Sequence, residues 1–152
     1  MYFVNREKIE ETLLYMETIQ EHFDTMNEPI GMTERLALER MAYVVIESII
    51  DVGNSMIDGF IMRDPGGYED IIDILEDEKV INADHARSFK YVIGLRKQLV
   101  QEYTAVNHQE LADTLKGNAQ ALKQFPIDVR RYLIEELGPV SAFLPNESKG
   151  NA

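Results

Sequence analysis

The residues whose types and spacing could do chemistry lie close together, in Gly94-Leu95-Arg96-Lys97-Gln98-Leu99-Val100-Gln101-Glu102-Tyr103. Arg96 carries a planar fork of donors that fits two oxygens of a phosphate or carboxylate at once. Lys97 sets a second cation beside it. Gln101, five residues after Arg96, can donate and accept hydrogen bonds but cannot shuttle a proton near neutral pH. Tyr103, seven after Arg96, ends the stretch with a phenolic hydroxyl. On an unbroken helix that spacing puts Arg96 and Tyr103 on one face with Lys97 adjacent, while Gln101 falls more than a quarter-turn away. Arg87 and Lys90 precede them on the same expected helix. Set against Asp84 and Glu102, these four cations give the helix a local charge of +2. Arg87, Lys90 and Lys97 are therefore candidate phosphate ligands around Arg96.

Other chemistries have less to stand on. The chain's three histidines are His22, His85 and His108, and none falls between Arg96 and Tyr103. His108 opens a helix and reads as an exposed residue of a capping turn. His22 lies beside an apolar stripe and reads as packing or surface. His85, in the first turn of another helix, has no visible partner. Glu102 reads as a solvated carboxylate; a substitute general base drawn from it or from the three histidines is the less favoured alternative. No Gly-rich phosphate loop, H-E-x-x-H or nucleophile elbow occurs, nor the Glu-x-x-His of di-iron bundles. Asp70, Asp73 and Asp77 share a helix face, for which an acidic solvent face is a better explanation than a metal site. Neither a metal nor a cofactor is implied.

Five helices must position these groups, and no convincing strand is present. Asn5 caps the first, with Ile9, Leu13, Met16, Ile19 and Phe23 as its apolar stripe. A second runs from Thr33 to about Met62 and is apolar nearly all round between Met41 and Val52, as a helix buried from several sides must be. Gly53 and Asn54 interrupt it, either to let a neighbour approach closely or to place an amide against one. Arg63-Asp64-Pro65-Gly66-Gly67 is the clearest break. A short third helix follows from Tyr68 to near Glu78, and Val80-Ile81 packs at the bend. Asn82 caps the fourth helix, which runs into the Arg96–Tyr103 stretch. Asn107 caps the fifth, which Phe125-Pro126 is expected to break, and 128–137 can add one more short helix. Ser141–Leu144 and a polar tail follow, expected to fray.

Composition bounds the rest. A chain of 152 residues with 45% hydrophobic and 28% charged residues makes one ordinary soluble domain. Cysteine is absent, which removes disulfides and thiolate chemistry and fits a reducing cytoplasm. No segment reads as a signal peptide or a membrane span. The net charge of −12 is uneven: residues 1–80 hold 19 acids against 6 bases, and residues 81–152 hold 8 against 9. A polyanion is bound by neutralising its phosphates, so any RNA contact must come from the second half. The acidic half suits solubility or a basic partner.

The motif region resembles the HepT-like branch of the HEPN superfamily, all-helical prokaryotic proteins that include ribonuclease toxins. The family pattern is an arginine, four to six residues, a histidine, one residue and a tyrosine, commonly R-N-x-x-x-H-x-Y. Arg96 and Tyr103 stand where the pattern wants them; Lys97 replaces the usual asparagine and Gln101 replaces the histidine. The run from Pro65 to Tyr103 matches in layout, and the likeness extends over roughly residues 5–124, although only the motif is specific. It implies an all-α, up-and-down bundle of about five helices over residues 1–138, with a tail at 139–152. It also implies a cytoplasmic homodimer whose two motifs face one cleft, and metal-independent RNA cleavage by the ribose 2′-hydroxyl. There the histidine would move the proton and the arginine would stabilise charge. Losing such a proton-transfer group costs about 10²–10⁴-fold in rate. The family's antitoxin is a minimal nucleotidyltransferase that adenylylates the motif tyrosine, which makes Tyr103 the candidate acceptor. The alternative is a non-catalytic HEPN-type module that binds RNA, nucleotide or a protein partner. A plain structural bundle would leave the Arg96–Tyr103 spacing to chance.

Overall fold

Three asparagines open three of the helices. Each places its side-chain oxygen on a backbone N–H three residues on: Asn5 on Lys8 (3.0 Å), Asn82 on His85 (2.8 Å) and Asn107 on Glu110 (3.0 Å). Each thereby satisfies one of the donors that a helix start leaves unpaired. In the computed structural model residues 2–139 are described; Ser141–Leu144 and the expected polar tail lie outside the described residues. Those residues form seven helices: α1 (Arg6–Asp24), α2 (Met32–Gly59), α3 (Tyr68–Asp77), α4 (Ala83–Ile93), α5 (Arg96–Val100), α6 (His108–Gly117) and α7 (Ala119–Leu137). Among them no strand occurs. The fold is an all-α bundle.

The spine is α2, which packs against α1, α3, α4, α5 and α6. Its apolar residues from Leu38 to Ile57 are buried on several sides, as its all-round pattern requires. Gly53 does not interrupt it. A Cβ there would lie 2.5 Å from Cγ2 of Ile71, so the glycine lets α3 sit close against an unbroken α2. The short α3 buries Ile71, Ile72, Ile74 and Leu75 and turns its acids outward, where Arg63 pairs with Asp70 (2.8 Å) and Lys90 with Asp73 (2.6 Å). The chain then turns through Lys79 in the left-handed region (φ 66°) to bury Val80 and Ile81. Across the bundle, Arg130 of α7 forks onto both Glu10 and Glu17 of α1 at 2.8–2.9 Å.

Two expected boundaries move. The motif helix does not run through to Tyr103. It stops at Ile93, bends at Gly94-Leu95, resumes as the five-residue α5 and ends in turns at Gln101–Ala105. At the bend the Leu95 N–H bonds the Val92 carbonyl three residues back, a tightened turn. A Cβ at Gly94 would sit 3.3 Å from the carbonyl oxygens of Lys90 and Tyr91, and Leu95 is buried in the core.

Pro126 does not break a helix either. The break comes at Asn118, between α6 and α7, and Pro126 lies buried inside α7. A proline in a helix interior leaves the carbonyl four residues back without its donor, here that of Leu122. Gln20, only 7% exposed on α1, reaches across and donates Nε2 to that oxygen at 3.3 Å. The buried amide and the internal proline account for each other.

Candidate functional site

Arg96 heads α5 just after the bend, half-buried between α2 and α3. Its Nε donates to Oε2 of Glu47 at 2.9 Å, and its guanidinium lies 4.6 Å from the centroid of the Tyr68 ring. Each of the Arg96 and Glu47 side chains is 24% exposed. The hydrogen bond that it donates to Glu47 holds the guanidinium above its ordinary pKa against the opposing effect of burial. Among the described residues the two terminal nitrogens of Arg96 donate no hydrogen bond. Its fork is thus oriented by Nε and stacked on a ring, with its outer edge free for an anion.

The helix that carries Arg96 ends at Val100, so the shared face that an unbroken helix would give Arg96 and Tyr103 is not formed. Gln101 closes α5 with its backbone N–H on the Lys97 carbonyl (2.8 Å), and its side chain is exposed. Tyr103 sits in the following turn, 67% exposed. No hydrogen bond joins either side chain to Arg96 among the described residues. The expected +2 patch is also compensated: Arg87 pairs with Asp84, Lys90 with Asp73, Arg96 with Glu47, and Lys97 lies 3.6 Å from Glu102. Asp73 raises the pKa of the Lys90 ammonium. The candidate phosphate ligands therefore begin from carboxylate-paired states.

Beside Glu47, the outer faces of α1 and α2 form an open groove lined by Leu14, Tyr15, Tyr43 and Asp51, of which Leu14 and Tyr15 are half exposed. Arg40 lies 5.4 Å from the Tyr43 ring centroid. Burial, reinforced by the charge of Glu47 one turn away, pushes the Asp51 carboxyl above its usual range.

The sequence reading missed three members of this arrangement. Glu47 is the only acid in the apolar run from Met41 to Ile50, and a charge in that setting needs a partner; that signal was available. Tyr68 gave none, because its role depends on where α3 folds. The third is Glu39. His108, expected to be an exposed capping residue, is instead partly buried, with Nε2 2.7 Å from Oε2 of Glu39. The start of α6 packs on α2 and brings the two together. His22 is exposed, as one of its two readings had it. His85 has a buried Nδ1 without a partner among the described residues and lies tilted against Phe89. Among those residues no group of three His, Cys, Asp or Glu side chains is placed to hold a metal ion, and no helix is long and apolar enough to cross a membrane.

Known proteins match this chain over most of its length. The model of the family described as "Ribonuclease HepT-like" matches residues 7–129, which include the motif. A protein of Bacillus subtilis (strain 168) named "Putative RNase YutE" is 49% identical over 143 residues, 94% of this chain and 99% of its own. The solved structure of YutE, a cytosolic protein of Bacillus subtilis, superposes with a TM-score of 0.91, covering 94% of this chain and 100% of that one at 49% identity. A toxin–antitoxin crystal structure with AMP-PNP shares the fold at a TM-score of 0.70 and 14% identity, over 80% of this chain and 96% of that one.

Proposed function

The chain belongs to the ribonuclease HepT-like family, and on that premise we propose that it is a cytoplasmic RNase toxin that cleaves RNA without a metal. The working unit is a homodimer in which two Arg96–Tyr103 regions line one cleft. The observation that carries this reading is the state of Arg96. Glu47 takes only its Nε and Tyr68 stacks its plane, so the two terminal nitrogens are held ready for the oxygens of a phosphate. Lys97, beside it and exposed, releases Glu102 to a phosphate easily, because surface ion pairs contribute little. Arg87 and Lys90, on α4, are the further phosphate ligands of this reading.

The antitoxin in this reading is a minimal nucleotidyltransferase that transfers AMP to Tyr103. Its hydroxyl stands in an exposed turn, where an enzyme can reach it. The added phosphate would place negative charge and bulk beside the arginine. Gln101 occupies the position of the family's proton-transfer residue and here contributes hydrogen bonds.

A second reading is supported by Gln101 together with the carboxylate pairing of all four motif-region cations. In it the protein is a non-catalytic HEPN-type module that binds RNA, nucleotide or a protein partner. One experiment separates the two. Purified full-length protein is incubated with end-labelled single-stranded RNA in EDTA, beside Arg96→Ala. The toxin reading expects cleavage that Arg96→Ala removes. RNA binding without cleavage by the wild type establishes the second reading.

A further inference from the structure

A second place on the molecule holds the chemistry that Gln101 lacks. It is the open groove where the segment between α1 and α2 meets the start of α6, lined by Glu28, Arg35, Asn107, His108 and Gln109. Glu39 accepts from Nε2 of His108 at 2.7 Å. A carboxylate can only accept there, so this tautomer carries its proton on Nε2 and leaves the Nδ1 lone pair as the base. That Nδ1 has no hydrogen bond within the described residues and is not a buried unpaired atom. It is therefore not sealed off among the described residues.

Arg35 precedes Glu39 by one helical turn on α2, about 6 Å along the helix surface. Its Nε donates to the Pro29 carbonyl at 3.3 Å, and among the described residues no carboxylate pairs with its terminal nitrogens. The groove thus joins an arginine without a carboxylate, a carboxylate-oriented histidine and the N-terminal end of α6, which favours anions. His22 and His85 have no such arrangement.

We infer that this groove is an RNA phosphodiester site in which His108 is the general base and Arg35 binds the phosphate. The inference rests on the RNase reading above and moves its proton transfer from the motif to α6. His108 Nδ1 takes the proton of a ribose 2′-hydroxyl. The 2′-oxygen forms a bond to the adjacent phosphorus while the bond from phosphorus to the 5′-oxygen breaks. That leaving oxygen takes a proton from water, and the hydroxide so formed removes the proton from His108. The products are a 2′,3′-cyclic phosphate and a 5′-hydroxyl, with no net consumption of water. Arg96 then serves as an RNA-positioning contact farther along α2: Glu39 and Glu47 are eight residues apart on it, about 12 Å in rise.

The test is single-turnover cleavage of labelled single-stranded RNA by the full chain, scored by cyclic-phosphate ends, with melting temperature as the folding control. His108→Gln keeps an N–H for Glu39 but cannot act as a base, and it should lower the rate at saturating RNA by about 10²–10⁴-fold. Imidazole should restore part of the activity of His108→Ala. Arg35→Gln should weaken binding and rate together. Should His108→Gln not fold, Glu39→Gln is read instead, with a loss of rate that Glu39→Asp partly restores. If either folded variant cleaves at the wild-type rate while Arg96→Ala is inactive, the inference is overturned and the RNase reading stands. If the wild type produces no cyclic-phosphate ends, the RNase reading itself falls and takes this site with it.

Discussion

Pro126 inside α7 and the buried Gln20 on α1 define a measurable dependence between two helices. In the wild type, Gln20 supplies the hydrogen bond to the Leu122 carbonyl that Pro126 cannot. Gln20→Leu keeps the bulk and removes the donor, leaving a buried carbonyl unpaired, which costs about 1–3 kcal/mol. The bond is long at 3.3 Å and leucine recovers some apolar burial, so the expected loss is at the lower end, about 1–1.5 kcal/mol. For a chain of this size each kcal/mol moves the melting temperature by roughly 2–4 °C. Pro126→Ala restores an N–H four residues beyond Leu122, and helix propensity favours the alanine by up to about 3 kcal/mol, offset by the lost packing of a buried ring. The sign of that single change matters less than the coupling. In the Pro126→Ala background Gln20→Leu should cost nothing or stabilise, giving an interaction of about 1 kcal/mol, against the ~0.3–0.5 kcal/mol within which independent sites add. Far-UV circular dichroism through urea or thermal unfolding measures all four proteins. An equal cost of Gln20→Leu in both backgrounds would refute the account of both residues.

Three further outcomes follow from named contacts. Arg130→Gln removes the fork that joins Glu10 and Glu17 to α7 and should lower stability by about 1–2 kcal/mol at neutral pH. Glu17 has its pKa depressed chiefly by the hydrogen bond from Arg130. Its contribution is therefore full above the unfolded carboxylate value and fades as pH falls through the lower folded one, so the variant's deficit in urea titrations should shrink on acidification. Asp51 has the opposite sign: burial and Glu47 raise its pKa, so its ionised form opposes folding, and Asp51→Asn should raise the melting temperature slightly at pH 7 and lose that advantage at low pH. Tyr103→Phe should abolish the mass gain of one AMP seen when the protein is incubated with a cognate nucleotidyltransferase and ATP; a gain that persists would place the modification elsewhere.

Local grammar was legible in the sequence. The capping asparagines, the Pro65-Gly66-Gly67 break, the acidic outer face of α3 and the buried course of α2 follow from propensity and period, which act within a few residues. Two boundaries were not legible for the same reason. Gly94 keeps ordinary helical angles, so the bend at α5 is set by the seating of Leu95 in the core and the reach of Arg96 to Glu47. Pro126 reads as a stop only to someone who cannot see Gln20, 102 residues away from the carbonyl it bonds. The site divides likewise. The spacing of Arg96 and Tyr103 marks a candidate region within the chain, whereas Glu47 and Glu39 pair with residues 49 and 69 positions away, and nothing local fixes such partners.

The charge asymmetry of the chain takes its meaning from those long-range pairs. Residues 1–80 carry 19 acids against 6 bases, and the sequence suggested a solvated acidic face or a basic partner. In the fold, many of these acids meet the bases of the second half: Glu47 with Arg96, Asp73 with Lys90, Glu28 with Lys116, Asp24 with Lys123, and both Glu10 and Glu17 with Arg130. The first half thus supplies internal counterions to the second. An RNA-binding surface on such a protein cannot be a broad basic field; it draws first on the donors that carboxylates leave unoccupied, and then on pairs that a phosphate can open, such as Lys97 with Glu102. Among the described residues two such donors are Arg35 and the terminal nitrogens of Arg96, beside Arg6, Arg40 and Lys79, which also have no carboxylate partner there. A ligand presenting two phosphates at the spacing of Arg35 and Arg96 gains from both, and one presenting a single phosphate does not. RNA affinity should therefore depend on length in steps, with a gain when an oligonucleotide first spans from the Arg35 groove to Arg96.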